Sequence, residues 1–149
     1  MMSSPCNTCH AQWPDDEYWI ADLETTVAYL NDDQFFPGAS LLVLKRHATE
    51  LFQLTRRERT MLIEEVAAVA RALMESFAAV KINYALLGNR VPHVHWHIIP
   101  RLIEDPAPSE APWAVSNEPR RANPDELSER TGRIRTSLTR GRRVVTSRG

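Results

Sequence analysis

The sequence has 149 residues and a formal net charge of -1, with 25% charged and 43% hydrophobic residues. This length predicts one domain over residues 1–149, with a core at about 10–101 and a C-terminal loop, helix and basic tail at 102–149. The near-neutral charge gives no overall attraction to nucleic acid or membrane, and no apolar run approaches the roughly 20 residues of a membrane span. We therefore expect a cytoplasmic protein that binds neither nucleic acid nor membrane.

The first chemical motif is a Cys-x-x-Cys pair formed by Cys6 and Cys9. Such a pair is half of a zinc site or a redox dithiol, and two free thiols in a frayed terminus are the alternative. A thioredoxin-like dithiol would require a βαβ pattern around it, whereas this pair lies in a short polar segment. The histidines that could complete a zinc site are His10, His47 and His93. His10 adjoins Cys9, which strains the geometry, so the two distant histidines are favoured.

Three strands are predicted between residues 17 and 44, because β-branched and aromatic residues alternate with turn residues there. They are Tyr18–Ala21, Thr26–Leu30 and Leu41–Leu44. Pro37 and Gly38 form a turn signal that joins the second and third strands as an antiparallel pair.

A long helix follows, with Thr55 as its N-cap and Glu58 completing a capping box. Apolar residues at helical spacing predict one buried face, and they are Leu62, Val66, Val69, Ala70, Leu73 and Phe77. A further strand is expected at Lys81–Leu87, and the turn Gly88–Arg90 leads from it into the next motif.

The most informative segment runs from His93 to Arg101, where His93, His95 and His97 occupy every second position. Strict alternation predicts a strand whose three imidazoles share one face. At roughly 3.3 Å per residue the outer two Cα atoms would lie about 13 Å apart, too far for all three side chains to bind one metal. The arrangement is better suited to one nucleophilic histidine flanked by assisting histidines, because neutral imidazole is nucleophilic near pH 7.

The last third of the chain begins with a proline-rich loop that contains Trp113, which we expect to anchor the loop on the core rather than to cover substrate. A second helix is predicted to begin after its N-cap Asn123, with Pro124 first, and to end near Leu138. Residues 140–149 form a basic tail that we expect to be disordered.

The segment from His93 to Ile99 resembles the histidine triad (HIT) family of nucleotide hydrolases and transferases, whose pattern is His-x-His-x-His followed by two apolar residues. The resemblance extends from about Asp22 to Arg101. It implies an α+β fold, with a mostly antiparallel sheet of about five strands, one main helix and a C-terminal helix. It also implies a homodimer formed through the main helix and an adjoining strand.

The resemblance assigns roles to the triad. His95 would attack the α-phosphorus of a nucleotide and form a nucleotidyl-histidine that water hydrolyses, with a backbone carbonyl holding its other ring nitrogen. His97 would orient phosphate or donate a proton, and His93 would hold the array in place. Asn31 would bind the ribose, while Asn83 and Asn89 would bind phosphates and Arg90 would add charge.

A structural zinc is also implied, because some bacterial members bind one through an N-terminal Cys-x-x-Cys pair, an upstream histidine and the first triad histidine. The ligands would then be Cys6, Cys9, His47 and His93, and no organic cofactor is expected. Many members have a supporting histidine directly after Pro-Gly, where this chain has Ala39. We expect the zinc to replace that support.

The Pro100-Arg101 ending resembles the dinucleoside polyphosphate hydrolase branch, so the predicted activity is cleavage of such compounds at the α-phosphorus. Two alternatives remain open. One is a nucleoside phosphoramidase that hydrolyses AMP joined to an amine. The other is a zinc-stabilised nucleotide-binding module with little turnover, motivated by Ala39.

Overall fold

The computed structural model describes residues 6–140 and residue 148. The main elements are β1 (Trp19–Asp22), β2 (Thr26–Leu30), β3 (Ser40–Leu44), α1 (Arg56–Phe77), β4 (Lys81–Ala85), β5 (His95–Arg101) and α2 (Pro124–Thr139). Short 3-10 turns lie at Asp16–Tyr18, Leu51–Gln53 and Pro112–Ala114. The predicted α+β fold is confirmed, the predicted Thr55 capping box is present, and the predicted N-cap Asn123 also forms a capping box, with Glu126.

The five strands form one antiparallel sheet in the order β1-β2-β3-β5-β4. Leu41 lies opposite His97 and Val43 lies opposite His95 in the β3–β5 register, while Ala85 of β4 lies opposite His97 from the other side. Because paired residues of antiparallel strands share a face, these side chains line the same side of the sheet. Strands β3, β5 and β4 therefore form the surface from which the side chains of His95 and His97 project.

The opposite face of the sheet forms the core with the helices. Ile98 and Leu42 are fully buried there, in one cluster with the α1 residues Val66, Val69 and Leu73. α2 packs against both α1 and β1. The helix layer leaves the histidine face free for a binding site.

The predicted turn at Pro37-Gly38 joins β2 to β3. Gly38 has φ of +88°, and a Cβ built there would lie 2.6 Å from the Phe77 ring at the end of α1. Only glycine satisfies both the backbone conformation and the contact. The fully buried Gln34 fixes the same turn, accepting from the Gly38 amide at 3.0 Å and donating to the Ala39 carbonyl at 2.8 Å.

The loop after β5 is held by Arg101 and not by Trp113. Arg101 is 1% exposed and pairs with the Asp105 carboxylate, with Nε–Oδ2 at 2.5 Å. Its guanidinium also donates to the carbonyls of Ala107 and Glu110. Trp113 is 62% exposed, so the expected anchoring of the loop by Trp113 is wrong. The loop is held instead by the buried Arg101–Asp105 ion pair and by the two backbone carbonyls that accept from Arg101.

Most of the predicted basic tail, residues 141–147 and 149, lies outside the described residues. Neither helix in the described part of the chain combines the length and apolar character needed to cross a bilayer.

Candidate functional site

His95 is the first residue of β5, and its side chain is almost fully buried. Its Nδ1 lies 2.6 Å from the backbone carbonyl oxygen of His93. A carbonyl oxygen only accepts, so Nδ1 carries the proton and Nε2 keeps a free lone pair. This is the tautomer that a nucleophilic imidazole requires, and the holder is the backbone carbonyl expected from the sequence.

His97 stands beside His95 on the same face of β5, with the two ring centroids 5.1 Å apart. Burial, and to a smaller extent the neighbouring His95, lower the pKa of His97 to about 4. His97 is therefore a neutral imidazole at pH 7, which donates a hydrogen bond from one ring nitrogen but adds no charge.

His93 departs from the predicted strand, because β5 begins only at His95. The His93 amide donates to the Val91 carbonyl at 2.8 Å, a local turn that takes His93 out of the sheet ladder. Its Nε2 lies 2.6 Å from the Leu44 carbonyl oxygen and therefore carries a proton. Burial is the largest cause that lowers the pKa of His93 and keeps the ring neutral.

The remaining nitrogen of His93, Nδ1, belongs to a cluster of four potential metal ligands. Its distances are 3.4 Å to Cys6 Sγ, 3.7 Å to Cys9 Sγ and 3.4 Å to His47 Nδ1. Cys9 Sγ lies 3.3 Å from His47 Nδ1, and all four ligand atoms lie within 4.8 Å of one another. The four residues predicted from the sequence are thus brought together from three separate parts of the chain.

These distances fit a tetrahedral metal. Bond lengths of about 2.3 Å to sulfur and 2.0 Å to nitrogen place the ligand atoms of a zinc ion about 3.3 to 3.8 Å apart. The Leu44 carbonyl fixes the His93 tautomer so that the Nδ1 lone pair faces the cluster. Metal-bound imidazoles commonly donate their other ring N–H to a backbone carbonyl in this way. Burial opposes ionisation of the Cys6 thiol, but hydrogen bonds from Cys9 outweigh it and hold its pKa below the usual value.

Trp13 is the site residue that the sequence did not reveal. Its ring lies 5.0 Å from the His95 ring, centroid to centroid, in an edge-on arrangement. The sequence feature that points to this contact is the position of Trp13, four residues after Cys9. If the chain is fixed at Cys9, the side chains that follow lie close to the triad.

Two cavities meet at Trp13. The larger, about 520 Å³, is lined by His95 and His97 together with Trp13, Leu87, Asn89 and Arg90. The smaller, about 120 Å³, is lined by Trp13 and Asn31 together with Leu41, Tyr18 and Arg121. The structure therefore brings Asn89 and Arg90 to the histidines, and Asn31 to the other side of Trp13.

Asn83 has a different environment from the one predicted. It lies on the histidine face of β4, opposite Ile99, but its Oδ1 accepts from the Arg101 guanidinium at 2.8 Å. Neither of the two cavities that meet at Trp13 includes Asn83 in its lining. Its amide thus faces the buried ion pair of the following loop, because the side chain is nearer to that end of β5.

Ala39 is 3% exposed, directly before β3. It offers no polar side-chain atom, and its backbone is used by the turn: its carbonyl accepts from the Asn31 amide at 2.8 Å as well as from Gln34. The triad is supported instead by backbone carbonyls: that of Leu44 accepts from His93, and that of His93 accepts from His95.

Comparison with known proteins gives a family match. The family model described as the HIT domain matches residues 15–102 of this chain. That range contains β1 to β5, α1 and all three triad histidines.

A bis(5'-nucleosyl)-tetraphosphatase (asymmetrical) of Schizosaccharomyces pombe is 35% identical over 81 residues, which covers 51% of this chain. The aligned region spans only 44% of that relative's length. Among solved structures, a histidine triad protein from Bradyrhizobium japonicum has a TM-score of 0.71 at 31% identity, covering 82% of this chain and 92% of that one. A histidine triad protein from Sinorhizobium meliloti has a TM-score of 0.73 at 29% identity, covering 82% and 91% respectively.

Proposed function

Because the chain belongs to the HIT domain family, we propose that it is a nucleotide hydrolase that cleaves dinucleoside polyphosphates at the α-phosphorus. The observation that carries this proposal is the 2.6 Å hydrogen bond from His95 Nδ1 to the His93 carbonyl, which leaves Nε2 as a buried nucleophile. The similarity to a dinucleoside tetraphosphatase supports the substrate class.

The reaction proceeds in two displacements. His95 Nε2 forms a bond to the α-phosphorus while the bond from that phosphorus to the bridging oxygen breaks, and the leaving phosphate takes the electron pair. The imidazole of the nucleotidyl-histidine carries positive charge, which the His93 carbonyl stabilises through the Nδ1 proton. Water then forms a bond to the same phosphorus while the bond from phosphorus to His95 Nε2 breaks. The electron pair of that bond returns to Nε2, which restores the neutral imidazole, and the attacking water loses a proton to solvent.

His97 serves as a neutral hydrogen-bond donor to the phosphoryl oxygens. Its pKa of about 4 leaves almost no imidazolium at pH 7, so it is a poor proton source. A phosphate leaving group has a pKa near 6 and departs without a proton, whereas an amine needs one. This difference favours a polyphosphate over the phosphoramidate alternative.

The substrate nucleoside occupies the side of Trp13 on which Asn31 lies, where the amide binds the ribose hydroxyls. Asn89 contacts phosphate in the larger cavity beside His95 and His97. We assign Asn83 to supporting Arg101 rather than to binding substrate, since its Oδ1 already accepts from that guanidinium.

Cys6, Cys9, His47 and His93 are proposed to bind a structural zinc ion. Four protein ligands fill a tetrahedral coordination sphere, so the metal would fix the ligands in place and supply no open position for chemistry. His93 would then be held at Nδ1 as well as at Nε2, which supports its carbonyl beneath His95 where Ala39 provides no side-chain support.

The test is product analysis with diadenosine tetraphosphate and with an adenosine phosphoramidate, on wild type, His95→Ala and His10→Ala. His10 is exposed and lies outside both cavities, so it is the matched control for loss of one imidazole. We expect rapid cleavage of the polyphosphate, lost by at least about 1000-fold in His95→Ala and kept in His10→Ala.

Preference for the phosphoramidate, still dependent on His95, would move the protein to that branch. Nucleotide binding without turnover of either compound would favour the binding-module alternative.

A further inference from the structure

Among the described residues that line the larger cavity with His95 and His97, Arg90 is the only lysine, arginine, aspartate or glutamate. The other lining residues are histidine, asparagine, glycine or apolar residues, and no carboxylate lines the cavity among the described residues. An anionic ligand in this cavity would find the guanidinium of Arg90 as its counter-charge, because no other lysine or arginine lines the cavity among the described residues.

Within the described part of the chain, Arg90 makes no ion pair. Some arginines elsewhere on the surface do, as in the pairs Arg46–Glu58 at 2.6 Å and Arg133–Glu129 at 2.6 Å. An exposed arginine without an acid partner, at the rim of a cavity that contains the proposed nucleophile, keeps all its donors available to a ligand.

Trp13 divides the site into two sides. The proposed function places the reacting nucleoside at Asn31 in the smaller cavity, and the α-phosphorus at His95. The part of the substrate beyond the scissile bond must then extend into the larger cavity, which is the Arg90 side.

We propose that Arg90 binds the phosphates of the leaving group and so determines specificity for anionic over amine leaving groups; this inference rests on the proposed function. When the bond from the α-phosphorus to the bridging oxygen breaks, that oxygen gains a full negative charge, which a guanidinium stabilises through charge-assisted hydrogen bonds. An amine that departs from a phosphoramidate takes a proton and carries no negative charge, so Arg90 gives its departure no such stabilisation.

The experiment compares kcat/KM for diadenosine tetraphosphate and for an adenosine phosphoramidate in wild type, Arg90→Gln, Arg90→Lys and Arg71→Gln. Arg71 lies on α1 with a side chain 83% exposed, so its substitution is the control for loss of one surface charge. We expect Arg90→Gln to lower kcat/KM for the polyphosphate by roughly 10-fold to 100-fold and to change the phosphoramidate value less than about twofold. Arg90→Lys should retain more polyphosphate activity than Arg90→Gln, because it keeps the charge but loses the bidentate geometry.

Equal losses on both substrates, or no loss on either, would overturn the proposal. A second readout separates this from failure of the proposed function: calorimetric binding of inorganic tripolyphosphate, which needs no turnover. Binding that is lost in Arg90→Gln and kept in Arg71→Gln supports the anion site even if wild type cleaves neither substrate. Binding unchanged in Arg90→Gln overturns the assignment of Arg90, whatever the enzyme hydrolyses.

Discussion

Three groups of His93 each have different partners. Its carbonyl accepts from His95 Nδ1, its Nε2 donates to the Leu44 carbonyl, and its Nδ1 faces Cys6, Cys9 and His47. One residue therefore connects the metal-ligand cluster to the tautomer of the proposed nucleophile. A substitution of His93 would disturb both, so its loss of activity could not be attributed to either role alone.

The burial of His97 predicts an unusual titration. Burial disfavours the imidazolium, so the folded pKa of about 4 lies below the unfolded value of about 6.5. Between those two pH values the unfolded chain binds a proton that the folded chain does not, so this group lowers the free energy of unfolding as pH falls through that window. NMR of ring-labelled histidine should show no His97 transition between pH 7 and pH 5; a midpoint above pH 6 would contradict the burial argument.

Gly38 and Gly88 offer a matched pair for testing how a turn is specified. Both have positive φ, but a Cβ at Gly38 meets the Phe77 ring at 2.6 Å whereas one at Gly88 finds its nearest neighbour at 3.7 Å. We expect Gly88→Ala to cost about 1 kcal/mol through backbone strain alone, and Gly38→Ala to cost about 3 kcal/mol because ring displacement is added. Urea denaturation measures both, and equal costs would mean that the Phe77 contact relaxes freely.

At the level of elements, the N-terminal segment of residues 6–14 is part of the site although it contributes no strand or helix. Cys6 and Cys9 lie against His47 and His93, and four residues later Trp13 packs on the His95 ring. The proposed zinc would therefore fix one wall of the active site as well as its own ligands.

Metal removal should consequently expose this wall. We expect chelation of the metal-loaded protein to increase deuterium uptake in a peptide covering residues 6–14. Uptake in α2 should stay constant, because α2 packs on α1 and β1 and contributes none of the four ligands. Hydrogen-exchange mass spectrometry with added zinc as the reversal control measures this. Uniform uptake changes across the chain would instead indicate that the metal stabilises the whole fold.

Elements set by local chemistry were predictable from the sequence. The N-caps Thr55 and Asn123 precede their helices as expected, and β2 has the predicted bounds of Thr26–Leu30. Features that depend on distant contacts were not predictable. β4 ends at Ala85 and not Leu87, because the chain leaves the ladder there to line the cavity with His95. Asn83 pairs with Arg101, and Trp13 packs on His95. Neither contact follows from a helical or strand periodicity in the sequence.

On the scale of the whole molecule, the sheet has two edges, β1 and β4. α2 packs against β1, whereas β4 exposes Tyr84 at 47% of its surface. α1 exposes Ile63 at 51%. An uncovered edge strand with apolar neighbours is a surface at which a second copy can pair.

The expected homodimer through α1 and β4 can be tested on these side chains. Ile63→Glu combined with Tyr84→Glu should convert a dimer to a monomer, because two like-charged pairs would face each other across a two-fold interface. Sedimentation velocity at micromolar concentration measures the change, with Arg71→Glu as an exposed control on α1. Wild-type protein that sediments as a monomer would contradict the expectation.

The separation of the metal ligands along the chain also sets an order of events during synthesis. Cys6 leaves the ribosome 87 residues before His93, so the four-ligand cluster cannot be completed until His93 has been made. His95, the proposed nucleophile, comes two residues after His93. A metal ion bound by all four ligands would therefore enter a nascent chain only when the triad itself is emerging, and it would secure the finished site rather than start the folding of the sheet.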